Sequence, residues 1–235
     1  MKMMIFSCLL TMSVISVAQD AKKSSYMPKM MHGIGITFQE FDGLNSRIAG
    51  FPQYKELKEH MATLQLGWLK EHNRLISGFS FTAGTSRAGN RETKNSILRF
   101  YGFSADLGYN VLNSRRIMLY PLAGLGYEKY QAKFHKDNSS VDFNNVLQST
   151  TEQSGIRPVD FKNSFLTYRL GAGFALKSAR RPSHSIGLQA GYISSFKDHE
   201  WRSTEDQQLK DAPEDGLQRI FVTLTFLCQP KFMKH

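Results

Sequence analysis

The chain has 235 residues, 41% hydrophobic and 21% charged, a composition that suits one folded domain and excludes a disordered chain. Two Cys exclude a disulfide scaffold and a Cys-based zinc module, and the one long apolar run lies at the N-terminus, short of the about 20 residues a spanning helix needs. The net charge of +10 raises a nucleic-acid partner, which the export signal described next argues against.

Met1-Lys2 is a short basic start, Met3 to Val14 an apolar run, and Ser16-Val17-Ala18 places small residues before Gln19. This order predicts a secretory signal peptide over 1–18, cleaved after Ala18. Cleavage removes Cys8 and leaves Cys228 without an internal partner. A periplasmic segment (19–30), a barrel (31–228) and a periplasmic tail (229–235) are expected to follow.

From residue 31 the dominant period is two, the strand period. Ile34, Ile36 and Phe38 form the first apolar stripe, and Ala62, Leu64, Leu66 and Trp68 the second. Phe79, Phe81 and Ala83 follow, then Tyr101 through Tyr109 at every second position. The fifth stripe runs Leu119 to Tyr127, blurred at its start by Tyr120 and Leu122. Leu166 to Leu176 and Ile186 to Tyr192 give two more; Ile220, Val222, Leu224 and Phe226 give the eighth, with Phe221 as an exception.

Connections alternate in length. Residues 42–60, 85–96, 131–163 and 196–215 are medium to long, whereas 70–74, 112–116 and 178–184 are short and carry turn formers such as Asn73, Asn113 and Pro182. An even number of strands with all long loops at one end is the pattern of an outer-membrane barrel. The expected fold is therefore all-β: an eight-stranded antiparallel up-and-down transmembrane β-barrel. A short helix over Gln53 to Glu59 after Pro52, or an irregular loop, is expected in extracellular loop 1.

Periodicity alone also admits a soluble, lipocalin-like barrel with its apolar face inward. Three features favour the membrane. The polar stripes are rich in Gly and Thr, which suits a narrow interior. Aromatic residues (Trp68, Tyr101, Tyr109, Tyr127, Tyr168, Tyr192, Phe226) stand near the stripe ends, as interfacial girdles would place them. The strands, about 9–16 residues long, reach the about 9–11 of a tilted span.

The segments Tyr120-Pro121-Leu122-Ala123-Gly124-Leu125-Gly126-Tyr127 and Leu170-Gly171-Ala172-Gly173-Phe174 resemble strands of the small OmpA/OmpX-like and PorT-like outer-membrane barrels of Gram-negative bacteria. The last strand, Gly216 to Phe226, looks like their terminal strand. The resemblance implies an outer-membrane location and a barrel-assembly machinery that reads that strand. The chain departs from the pattern in continuing from Leu227 to His235, where Pro230 should stop the strand.

Four charges fall on the inward parity, Asp106, Glu128, Arg169 and Arg219, and two of each sign predict a closed polar network plugging the lumen. Glu128 and Arg169, on directly joined strands, are expected to pair, with Arg219 joining across the lumen. A narrow conduction path is the alternative. Lys70, Arg74, Arg115, Arg116, Lys177, Arg180 and Arg181 concentrate at the short-turn end, where Glu71 opposes them. They form a basic periplasmic rim, set either against lipid phosphates or against an acidic periplasmic or secretion-complex protein.

His135 and His199 have acidic neighbours, and His184 adjoins Ser185, yet consecutive strand residues point to opposite faces. The seven His show no metal-ligand spacing. The expectation is a non-enzymatic barrel without cofactor or metal, acting in envelope structure or by interaction. Its partners would be outer-membrane lipids, lipopolysaccharide and the assembly machinery, not nucleic acid. The alternatives are a lipid- or peptide-modifying barrel enzyme and a passive transporter of small apolar solutes.

Overall fold

Period-two alternation folds into eight long strands: β1 (Lys29–Gln39), β2 (His60–His72), β3 (Leu75–Gly89), β4 (Asn95–Tyr109), β5 (Ile117–His135), β6 (Val159–Lys177), β7 (His184–Ser195) and β8 (Gln218–Cys228). The computed structural model describes residues 28–90, 93–112, 114, 116–178 and 184–229. The expected signal peptide, the segment up to residue 27, Arg115, Arg180, Arg181 and the tail from Pro230 lie outside the described residues.

Each strand pairs antiparallel with the next, and β8 closes on β1 with Leu224 opposite Ile34, so the barrel has no free edge. The tightest connection is the two-residue hairpin Asn73-Arg74, with φ of 48° and 68°, left-handed at both positions as a type I′ turn requires. That turn, the other short connections, Lys29 and Cys228 mark one end, the turn end. The connections 40–59, 90–94, 136–158 and 196–217 mark the other, the loop end, and the expected loop 85–96 shortens to 90–94.

At mid-height the apolar stripes point outward. Ile34, Leu64 and Leu125 are each about 60% exposed, whereas Thr63, Gln65, Thr223 and Thr225 are buried in the lumen. A closed barrel that is apolar outside and polar inside is built for hydrocarbon, which decides against the lipocalin-like arrangement. The residues that broke the alternation are lumenal. Tyr120 and Leu122 join Met31, Leu69, Ile76, Met118, Ala175 and Leu227 in an apolar core at the turn end. Phe221 belongs to a second core at the loop end, with Phe41, Leu98, Phe100, Tyr130, Phe134, Phe165 and Trp201.

The loop 1 helix is displaced from the expected place. This helix, α1, spans Asp42–Ala49, and residues 51–59 are irregular. Leu44 and Ile48, four apart, bury one face, and Gly50 follows the last turn. Residues 52–57 are instead pinned as a strap. Lys94 Nζ donates to the Pro52 carbonyl (2.6 Å), Ser96 Oγ to the Glu56 carbonyl (2.8 Å), and the Leu57 amide to Asn45 Oδ1 (2.8 Å). Leu57 and Met61 pack into the loop-end core, and Tyr54 packs against it.

Toward the loop end the hydrophobic phase inverts without a change of strand register. On β5, Tyr127 faces out and Glu128 in. Beyond them Tyr130, Ala132 and Phe134 are buried inside, while Lys129, Gln131 and Lys133 face outward. The hairpin β5–β6 therefore continues to Phe134 opposite Val159, and the expected loop 131–163 shortens to 136–158. Within it lie two short helices, α2 (Phe143–Gln148) and α3 (Thr150–Gly155), started by Asp142 and Ser149 as N-caps.

Candidate functional site: a charged layer sealed between two apolar cores

The lumenal charges sit between the two cores, and strand register sets their partners. Asp106 on β4 stands opposite Gly124 on β5, and Gly124 stands opposite Arg169 on β6. With no side chain between them, Arg169 Nη1 donates to Asp106 Oδ2 at 3.2 Å. The same guanidinium reaches Ser104 Oγ and Gln189 Oε1, each at 3.4 Å, and Gln189 Nε2 donates to the Tyr120 hydroxyl at 2.8 Å. Ser104 and Ser80 are 2.9 Å apart, and Gln65 donates to Ser80 (3.1 Å), which carries the network to β2.

Glu128 takes a different partner from the expected one. Its opposite residue on β6 is Phe165, four positions from Arg169, or about 13 Å along a strand. Arg219 on β8 reaches it across the lumen instead, Nη2 to Oε1 at 2.5 Å. Tyr130 closes the triangle, donating to Glu128 Oε2 (2.9 Å) and accepting from Arg219 Nη1 (3.1 Å). The four charges thus form two ion pairs, Asp106–Arg169 and Glu128–Arg219, and the expected Glu128–Arg169 pair does not form. Each guanidinium also lies over a ring, Arg169 over Phe221 at 4.1 Å and Arg219 over Phe100 at 4.4 Å. Burying these charges is tolerable because each is paired and hydrogen-bonded. The space left between the pairs is about 20 Å³, room for about one water.

The loop end is closed by a lid with its own polar clasp. Asp215 accepts from the Gly43 amide (2.7 Å), the Leu44 amide (3.0 Å) and the Trp201 indole (2.7 Å). The connection 196–217 thereby caps the N-terminus of α1, whose own N-cap residue, Phe41, offers no side-chain acceptor. Burial raises the Asp215 carboxyl above the ordinary carboxylate range, against the pull of those three donors. Trp201 is fully buried, its ring edge-on to Phe41 at 5.4 Å. This clasp escaped sequence reading; an acid 14 residues after a Trp has no periodicity to mark it.

At the turn end Lys177 is drawn inward rather than left on the rim. Its ammonium pairs with Glu71 at 2.9 Å, and Glu71 also accepts from Asn110 (2.7 Å). Lys70, Arg74 and Arg116 are exposed around that floor. His199, a residue considered for catalysis, packs its ring against Phe165 at 6.0 Å.

No protein-family model matches the chain, and no curated protein matches it. Solved structures do. Neisserial surface protein A is 8% identical, with a TM-score of 0.50 over 86% of this chain and 97% of that one. A major outer membrane protein from Thermus thermophilus is 11% identical, with a TM-score of 0.50 over 85% and 98%. The chain has the fold of the small outer-membrane β-barrels.

Proposed function

We propose that the protein is a non-enzymatic, non-conducting outer-membrane barrel that serves the envelope as structure and as a surface for contacts. The observation that carries this reading is the charged layer, which lies between two apolar cores among the described residues and leaves only about 20 Å³ between its ion pairs. The N-terminal signal peptide read from the sequence would supply export. The outward stripe Ile220, Val222, Leu224 and Phe226 of β8 supports recognition by the barrel-assembly machinery. Contacts at the loop end have a candidate surface in α2, where Phe143 and Leu147 stand 73% and 65% exposed. The turn end offers exposed Lys70, Arg74 and Arg116 to lipid phosphates or to an acidic periplasmic partner.

Cell fractionation tests the location: the protein should sediment with the outer membrane and migrate faster on a gel when unheated. Recovery as a soluble periplasmic protein would overturn the reading. Planar bilayers test the sealed lumen, and steady single-channel conductance would refute it.

A further inference from the structure

The outward face of β3–β6 above the apolar belt differs from the rest of the barrel. Register lays its residues in rows. Ala62, Thr85, Arg99, Gln131, Lys162 and Arg202 follow one another from β2 to the two-residue strand Arg202–Ser203 that pairs with β6. One row toward the turn end, Tyr101 stands beside Lys129; one row toward the loops, Arg87, Ile97, Lys133 and Asp160 are aligned. Six cations thus lie in these rows with a single carboxylate, Asp160, while Lys129, Lys162 and Arg202 also border a loop-side pocket that carries Asp198, Glu200, Asp206 and Glu214. That carboxylate is already held by Lys133 (3.3 Å) and by Gln131 (2.7 Å). Among the described residues, Arg99 and Lys129 have no carboxylate at ion-pair distance. Lys162 donates to the Thr204 carbonyl, which fixes its position and leaves its charge.

At the loop ends of β1, β2 and β8 the exposed residues are Glu40, His60 and Gln218. A uniform interfacial girdle would be basic all round; this one is basic over one sector. In the same rows as these cations, toward β2, the wall is dented where Ala62 and Ala83 face outward. The result is a groove of about 660 Å³ bounded by Ile34, Leu64 and Tyr101, with Arg99, Lys129 and Lys162 on its rim.

We propose that this sector binds a phosphorylated glycolipid of the outer leaflet, of the lipid A type. Its phosphate lies on Arg99, Lys129 and Lys162, and one acyl chain fills the Ala62–Ala83 groove. The two parts line one groove, cations beside apolar side chains, as a lipid with a phosphate joined to acyl chains requires. Arg and Lys supply charge-assisted hydrogen bonds to phosphate oxygens. The inference rests on the outer-membrane reading and deepens it by naming the site.

The test is binding of fluorescent lipid A to the purified full-length barrel in detergent, with heat-modifiable migration as the check on folding. The triple variant R99Q/K129Q/K162Q should bind about 100-fold more weakly, at about 1 kcal/mol for each basic residue near a lipid surface. Ala83→Trp, which fills the groove and keeps every charge, should also weaken binding. The loop 1 variant R47Q/K55Q/K58Q, which removes three exposed charges outside the patch, should bind as the wild type does. Enzymatically dephosphorylated lipid A should bind as weakly as the triple variant, and inorganic phosphate should not displace lipid A. Equal binding by wild type and folded triple variant overturns the proposal, as does equal binding of the dephosphorylated lipid. Full displacement by inorganic phosphate overturns the lipid in favour of a free-phosphate site. A barrel that fractionates with the outer membrane and fails these arms leaves the location intact and removes the site alone.

Discussion

Asp106 and Arg169 form an ion pair across an intervening strand, over a residue that has no side chain. Gly124 lies opposite both, and the pair closes above its Cα. A Cβ at position 124 would run into the Asp106 carboxylate and lie 2.6 Å from the Ala105 carbonyl oxygen. Backbone on a neighbouring strand yields little, so the glycine is needed for close approach, not for its conformation. Gly124→Ala should destabilise the barrel by about 1–3 kcal/mol, the cost of an overpacked core. Gly155→Ala is the control, since nothing lies within 4 Å of its added carbon. Urea unfolding in lipid vesicles should lower the midpoint for the first variant and not for the second. Equal midpoints would sink the account of the pair.

The Glu128–Arg219 pair leads to a larger effect. Both side chains are buried, so Glu128→Ala leaves a guanidinium facing Tyr130 and Phe100 without its counter-charge. Removing one partner of a buried pair costs about 3–5 kcal/mol, whereas replacing both with apolar side chains is often near neutral. Glu128→Ala should therefore lower the melting temperature far more than Glu152→Ala, which alters an exposed residue of α3. The double variant Glu128→Leu with Arg219→Met should recover part of the loss. A double variant as unstable as the sum of its singles would show that the two groups are not coupled.

How much of this was legible in the sequence depended on whether one physical rule held along a strand. At mid-height the rule is simple, apolar out and polar in, and alternation alone assigned the outward stripes and the inward parity of Asp106, Glu128, Arg169 and Arg219. Above Tyr127 the surroundings of the barrel change from hydrocarbon to water, and the apolar side moves to the lumen. A pattern search that expects one phase ends the strand there, which is why 131–135 and 159–163 read as loop. Partner choice was illegible for a different reason. Parity says which face a residue takes but not its row, and the row separates Glu128 from Arg169. The α1 helix depends on Asp215, 171 residues beyond Leu44, and local propensity carries no trace of a cap that distant.

The lid can be read through the two tryptophans, which have opposite surroundings. Trp201 is fully buried and bonded to Asp215, whereas Trp68 is 48% exposed on the outward face near the turn end. In a W68F background the remaining emission should be blue-shifted and poorly quenched by acrylamide. Asp215→Asn replaces one acceptor oxygen with an amino group that confronts an N–H donor, so at least one of three bonds is lost at about 1–3 kcal/mol. Acrylamide quenching of Trp201 should then rise. In a W201F background, brominated acyl chains should quench Trp68, and no quenching would place that face away from lipid.

The β2–β3 hairpin holds a local strain that a single substitution relieves. Arg74 has φ of 68°, a left-handed conformation in which a side chain costs roughly 1–2 kcal/mol. Type I′ turns favour Gly at this second position, after an Asn such as Asn73. Arg74→Gly removes the strain, and part of the gain is returned through the greater freedom of Gly in the unfolded chain. The net expectation is a stabilisation of about 0.5–1 kcal/mol, read as a higher urea midpoint in lipid vesicles. Charge is a competing explanation, because Arg74 shares the turn end with Lys70 and Arg116, and removing any one of them eases repulsion. Arg74→Ala separates the two: it deletes the same charge and keeps the Cβ that makes the left-handed turn unfavourable. If strain is the cause, the glycine variant gains and the alanine variant does not. Equal gains would assign the effect to charge and refute the strain.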